Sequence, residues 1–190
     1  MTGSSVLPVT IHKGKIYFLF GKENPMEDSA KGFSDFGGGV EKGENIFETA
    51  MREGGEELTG FLGDGNHLKK HIKKHGGIHK LVFSDYHVHL FYLPYDQNLV
   101  KYYNQNHRFL WERMDKKILN ETKLFEKIEI DWFSYNDLQK RRKEFRKFYQ
   151  AFLDVLRKDK HNIRRFLNKC HRKTYIRKSS SSKNHTRKNR

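Results

Sequence analysis

Val9, Ile11, Ile16, Phe18 and Phe20 recur at every second residue on either side of Lys13-Gly14. A period of two predicts strands with one face buried, so residues 6–12 and 15–21 read as a hairpin. Residues 24–32 read as a loop, and residues 34–39 lead into a change of period. Ile46, Phe47, Ala50, Met51 and Leu58 then form the apolar side of a helix beginning near Glu44 and Asn45. Gly63-Asp64-Gly65 break the pattern, and residues 67–74 read as a short basic helix ending at Gly76-Gly77. Residues 78–84 and 86–94, rich in aromatic and β-branched side chains, read as paired strands. A helix over 98–117 and a strand over 128–134 follow. Residues 138–157 read as one long helix with Phe145, Phe148, Tyr149, Phe152 and Leu156 on one face. The chain has no internal repeat.

The first predicted helix also carries the chemistry. Glu44, Glu48, Glu53, Glu56 and Glu57, with Arg52, crowd into one short segment behind Gly37-Gly38-Gly39. Carboxylates packed together repel unless a cation neutralises them. Glu53, Glu56 and Glu57 stand at i, i+3 and i+4 and share a helix face. Three hard oxygen donors on one face suit Mg²⁺ or Mn²⁺. Arg52 can pair with a neighbouring carboxylate and orient it. The triple glycine lets backbone turn tightly and approach a ligand closely. A merely solvated acidic face is the alternative, but such faces mix charges for i,i+4 pairing.

Residues 38–60 resemble the Nudix box, G-x5-E-x7-R-E-U-x-E-E-x-G-U, where U is a bulky aliphatic residue. Gly38, Glu44, Arg52, Glu53, Glu56 and Glu57 match at the family's spacing. Gly54 stands where the aliphatic residue belongs, and Gly60 comes one residue later than the family's glycine. Each glycine inside a helix costs about 1 kcal/mol relative to alanine. The resemblance implies an α/β/α sandwich with a mixed sheet, closed near residues 130–134. It also implies hydrolysis of a diphosphate linked to another moiety. Glu53, Glu56 and Glu57 would ligate or organise metal, one of them acting as base. The Gly37 carbonyl would be a further ligand, and Arg52 and Glu44 would orient the set. Some members add a glutamate from a later loop; Glu126 is the candidate, with Glu129 and Glu121 as rivals. Gly38 and Gly39 would lie against substrate.

Charge sharpens the choice of partner. Of a net +15, residues 158–190 hold thirteen Lys or Arg against the single acid Asp159, leaving only +3 for residues 1–157. The reading is one catalytic domain, 1–157, and a basic C-terminal extension, 158–190. From Lys178 the extension has no apolar residue to offset the cost of ordering, so disorder is expected there. Arg164, Arg165, Arg172, Lys173, Arg177 and Lys178 would bind RNA through its backbone, with strong salt dependence. A nuclear-localisation signal or a solubilising tail are the alternatives. The single Cys170 excludes an intrachain disulfide and suits a reducing compartment. No stretch approaches a membrane span, and the first fifteen residues lack a secretory layout. An intracellular location is expected, the cytoplasm ahead of the nucleus.

Other features are more ambiguous. His67, His71, His75 and His79 recur every four residues among Lys69, Lys70, Lys73 and Lys74. The lysines and the Gly76-Gly77 break argue against zinc and favour a basic surface, facing phosphates or solvent. Trp111, Trp132, Tyr102 and Tyr103 either stack on a base or fill core. Three substrates fit the resemblance. The first is the RNA 5′ cap, for which the basic extension supplies affinity for the RNA body. The second is diphosphoinositol polyphosphates, whose charge suits Lys69 to Lys74. The third is free nucleotides or dinucleoside polyphosphates. Residues 34–39 and 60–63 are also similar to members from large DNA viruses, which would place the chain in a host cytoplasm. A noncatalytic RNA-binding protein on the same scaffold is the reading from another class.

Overall fold

The computed structural model describes residues 2–24, 31–122 and 126–185, with side chains described to residue 119 and over 126–172. It is a three-layer α/β/α arrangement around a seven-stranded mixed sheet. The first hairpin, β1 (Gly3–His12) and β2 (Lys15–Glu23), turns at Lys13 and Gly14, both in the left-handed region. β1 begins three residues before its apolar alternation does. It is buried on both faces at the sheet's centre, so periodicity alone cannot mark its start. β3 (Phe33–Ser34) and β4 (Phe36–Gly39) follow. β5 (Ile78–Phe83) and β6 (Tyr86–Tyr92) pair antiparallel, and β6 runs parallel to β1. β7 (Lys127–Ser134) pairs with β2.

One topological detail positions the site. β2 and β4 both pair antiparallel with β1, but on different halves: β2 with Val9 to His12, β4 with Gly3 to Val6. The sheet therefore parts where β2 and β7 diverge from β4. α1 (Ile46–Glu57) lies across this opening and buries Ala50, Met51 and Leu58 with Val6 and Phe36. α2 (Gly65–His75) and α3 (Gln97–Arg113) complete that layer. The other layer is α5 (Tyr135–Lys140), α6 (Lys147–Lys158) and α7 (Lys160–His185) over Leu7, Val9, Phe18, Phe20 and Phe133. Among the described residues no helix is long and apolar enough to cross a membrane.

Three elements differ from the pattern reading. The helix expected over 98–117 ends at Arg113, and α4 (Lys116–Thr122) restarts after it. The helix expected over 138–157 is two helices separated by a 3₁₀ turn, Arg142–Glu144. Phe145 is extended there, bridges to Phe33, and packs its ring against Phe20, Phe33 and Phe133. This aromatic cluster outweighs the helical period, and Phe148, expected on the buried face, is 51% exposed. The third difference is at the C-terminus. Ile163, Leu167 and Cys170 recur at i, i+4 and i+7 and are fully buried. The expected division at 158 thus falls where helices of one core meet. α7 runs on to His185, through residues from Lys178 expected to be disordered. A packed stem supplies the nucleus, after which each added residue costs little.

Candidate active site

α1 starts cleanly because Asn45 and Glu48 form a capping box: Asn45 Oδ1 accepts from the Phe47 and Glu48 amides, and Glu48 accepts from Asn45 N. The two glycines in its second half have a packing reason. A Cβ at Gly54 would lie 2.5 Å from Val6 Cγ2, and one at Gly55 would lie 3.0 Å from the Gly65 amide. Glycine lets α1 settle close to β1 on one side and α2 on the other. The displaced late glycine is absorbed by Thr59, which itself takes φ 48° before Gly60 at φ 72°. The Thr59 hydroxyl lies 3.4 Å from His107 Nε2.

Behind this backbone the side chains form two linked groups. The first is built on Arg52. Its Nε donates to Glu44 Oε1 at 2.7 Å, and its Nη1 lies 3.0 Å from Glu53 and 3.1 Å from Glu56. The Thr49 hydroxyl also donates to Glu44, at 2.7 Å. Arg52, and after it Thr49, hold the Glu44 carboxyl down to about 2. Glu44 is therefore a fixed anion that aims Arg52 across α1 at Glu53.

The second group is the candidate cation site. One carboxylate oxygen from each of Glu53, Glu57 and Glu126 lies within 4.8 Å of the others. Among the described residues no other three acidic, histidine or cysteine side chains gather in this way. The Gly37 amide donates to Glu57 Oε2 at 2.7 Å, so the glycine-rich strand fixes this carboxylate. Any side chain at Gly38 would collide with the Glu53 carboxylate. Burial pushes the Glu53 carboxyl up, against Arg52, with Glu56 and Glu126 adding to the rise. Burial likewise pushes Glu57 up, against the pull of Lys127. Carboxylates whose charged form is disfavoured by burial and mutual repulsion gain most from a hard divalent cation, so the donor set fits one.

Glu56 does not join this set. Its side chain is 61% exposed and pairs with Arg52. Glu129 pairs instead with Lys22 at 3.4 Å, and the Glu121 side chain lies outside the described residues. Lys69, Lys70, Lys73 and Lys74 ride on α2, which meets α1 at Met51 and Gly55, the flank opposite Glu53. His71 bonds the Tyr92 carbonyl and His79 bonds Asp159, so both serve packing. On α7, Arg164 donates to the Gly14 carbonyl, while Arg165 and Arg172 are exposed. The Lys173, Arg177 and Lys178 side chains lie outside the described residues. Trp132 and Tyr103 fill core, Tyr102 faces solvent, and Trp111 lines a cavity.

Sequence reading missed the support beneath the carboxylates. Lys127 is 1% exposed, stands 3.2 Å from Glu57 and pairs with Glu23. It also donates to the Ser34 hydroxyl at 3.0 Å, which in turn donates to Glu23 at 2.8 Å. Arg146 reaches Glu23 from the other layer at 3.0 Å. Burial pulls the Lys127 amine down, but Glu57 and Glu23 outweigh it, and the ammonium is held charged. Next to it, Asp35 is 1% exposed and accepts from Ser5 at 2.5 Å and Tyr86 at 2.9 Å. Burial raises its carboxyl from 3.8 to about 6. The one available signal was Lys127 directly after Glu126 at the start of a strand; its partner Glu23 is 104 residues away.

The NUDIX domain model matches residues 3–154. No curated protein matches the chain. Similar solved structures include a C. elegans Ap4A hydrolase, at 16% identity and TM-score 0.47, covering 86% of this chain and 99% of that one. A binary complex of C. elegans Ap4A hydrolase gives 15% identity and TM-score 0.45, covering 85% and 96%. RenU, a Nudix hydrolase from M. smegmatis, gives 9% identity and TM-score 0.46, covering 86% and 88%.

Proposed function

The chain belongs to the Nudix family, and on that premise we propose that this pyrophosphohydrolase cuts the polyphosphate bridge of the RNA 5′ cap. The observation that carries the chemistry is the convergence of Glu53, Glu57 and Glu126 beside a buried ammonium. These carboxylates would hold the divalent cation, Mg²⁺ or Mn²⁺, with the Gly37 carbonyl as a proposed further ligand. When bound, the cation would supply charge neutralisation for the diphosphate and acidify water.

The chain's own residues do the rest. Glu53 is the proposed base: its raised pKa brings it toward the range where a carboxylate accepts a proton from water efficiently. Arg52, anchored by Glu44, keeps the Glu53 carboxylate aimed and shields it from Glu56. Gly38 and Gly39 leave the substrate's phosphates an open backbone surface. Water adds to one phosphorus of the P–O–P link and the other phosphate leaves, so capped RNA yields a guanosine diphosphate and a 5′-monophosphate RNA. The choice of cap is supported by charge: thirteen Lys or Arg over residues 158–190 offer an RNA body a polyanion-binding element on the same domain.

The test is cap-labelled RNA with Mg²⁺ or Mn²⁺, comparing the native chain with Glu57→Gln. Methylated guanosine diphosphate released by the native chain, and at least about 100-fold less by the variant, is expected. No release by a folded, metal-binding chain would reject the cap and bring forward diphosphoinositol polyphosphates or free nucleotides. RNA binding without turnover on any of these would mark a noncatalytic binder.

A further inference from the structure

A cavity of about 320 Å³ opens between α3 and the free edge of β7, lined by Asn104, His107, Arg108, Trp111, Glu112 and Glu129 among others. Its volume is at the lower end of small-molecule sites, roughly 300–1,000 Å³. We propose that it is the subsite for the substrate's nucleobase and that it selects guanine. The proposal rests on the phosphoanhydride reading above and names the group it recognises.

Position is the first argument. Ile128 and Glu129, which line the cavity, follow the cluster residue Glu126 by two and three positions, so their backbone lies roughly 7–10 Å along the chain from it. That is the reach from a nucleotide's base to its second phosphate. The cavity wall is also tied to the catalytic backbone. The Tyr103 hydroxyl lies 3.0 Å from the carbonyl oxygens of both Glu57 and Lys127 and shares its one proton between them. His107 stacks on Tyr103 with ring centroids 4.0 Å apart, one helical turn on. Asn104 bonds both the amide and the carbonyl of Ile130, pinning α3 to the strand's edge. A base held here is thus held at fixed distance from Glu57.

Chemistry is the second argument. Trp111 brings an indole to the cavity, and indole stacks on any base. Lys116 fixes it, lying 4.2 Å from the ring and donating to the Trp111 carbonyl at 2.7 Å. Glu112 offers a carboxylate, an acceptor only, while the carboxylate of Glu129 is taken up by Lys22. Guanine presents two adjacent donors, N1–H and the N2 amino group, to such an acceptor. Adenine presents the unprotonated N1 at the corresponding place and is repelled. Arg108, the cation of the lining, suits the phosphates between base and cluster.

The experiment is calorimetric titration of the full chain with GDP, ADP and inorganic diphosphate, each in Mg²⁺, repeated with Trp111→Ala and Glu112→Gln. GDP is expected to bind at least tenfold more tightly than ADP. Trp111→Ala should weaken GDP tenfold or more and leave inorganic diphosphate unchanged; Glu112→Gln should shrink the GDP-to-ADP ratio. A thermal melt confirms that both variants fold. Absent GDP binding, equal GDP and ADP affinities, or a folded Trp111→Ala that binds GDP normally would overturn the subsite. Cap cleavage with Trp111→Ala unaffected would drop the subsite and keep the reaction. Guanine-selective binding lost in Trp111→Ala, without cap cleavage, would keep the subsite and drop the cap.

Discussion

Asp35 shows how much a single buried side chain decides. Its carboxyl is raised from 3.8 to about 6 by burial, with Ser5, Tyr86 and Lys127 opposing. The native state therefore binds this proton more tightly than the unfolded chain does. The stabilisation it gives is complete below about pH 4 and is lost as pH rises through 6. A rise of that size on a fully buried group amounts to about 3 kcal/mol. Asp35→Asn removes the charge and keeps one acceptor oxygen, while the hydroxyl that meets the new amide nitrogen, Ser5 or Tyr86, turns to accept. Denaturant unfolding from pH 4 to 7 should show the variant gaining on the native chain as pH rises. Parallel profiles would mean that Asp35 stays ionised in the fold. None of this is legible in the sequence, where Asp35 is one more polar residue before a triple glycine; its partners come from β1 and β6.

At the scale of elements, α1 was legible and its packing was not. Asn45, the apolar positions and the spacing of the carboxylates marked its start, face and chemistry. In the sequence Gly54 and Gly55 show only as a cost to the helix, about 1 kcal/mol each. In the fold they are the contact surface, which periodicity cannot see because a missing side chain leaves no hydrophobic signal. Two effects compete at Gly54. Alanine would gain about 1 kcal/mol of helix propensity, while its methyl would press on Val6 Cγ2 at 2.5 Å. Overpacking costs of about 1–3 kcal/mol make Gly54→Ala destabilising in the native chain. In a Val6→Ala background only the tip of Leu68, 3.0 Å away, has to give, and the same substitution should stabilise. Thermal melts of the four chains decide it; additive effects would refute the contact. The long C-terminal helix departs from its pattern for a related reason. Phe145 suits a helical stripe, and only the aromatic faces of β2, β3 and β7 give it a better place as an extended link.

For the whole molecule, the charge asymmetry was plain in the sequence but its attachment was not. Ile163, Leu167 and Cys170 tie α7 into the same core as β1. Removing residues 158–190 would strip that core along with the charges, and a failure to bind RNA would then mean nothing. The informative cut follows Arg172, which spares Ile163, Leu167 and Cys170 and removes seven Lys or Arg. That chain should melt near the native temperature and bind RNA more weakly, with a shallower dependence on salt, since each lost phosphate contact removes about 0.7 from the slope for single strands. An unchanged slope would show that the distal charges play no part.

Lys127 has a consequence for how this enzyme is supplied and controlled. An ammonium lodged against Glu57 and Glu23 is a resident counterion, present from the moment the chain folds. Many metalloproteins need their ion to become folded at all; this one carries a substitute in its own sequence. Chelation with EDTA should therefore silence hydrolysis while leaving circular dichroism and cooperative unfolding intact, and a collapse of the fold would disprove it. Maturation and activation become separable events. If turnover depends on the cation as proposed, the protein would accumulate inert where divalent cations are scarce, and a rise in their concentration alone would start turnover.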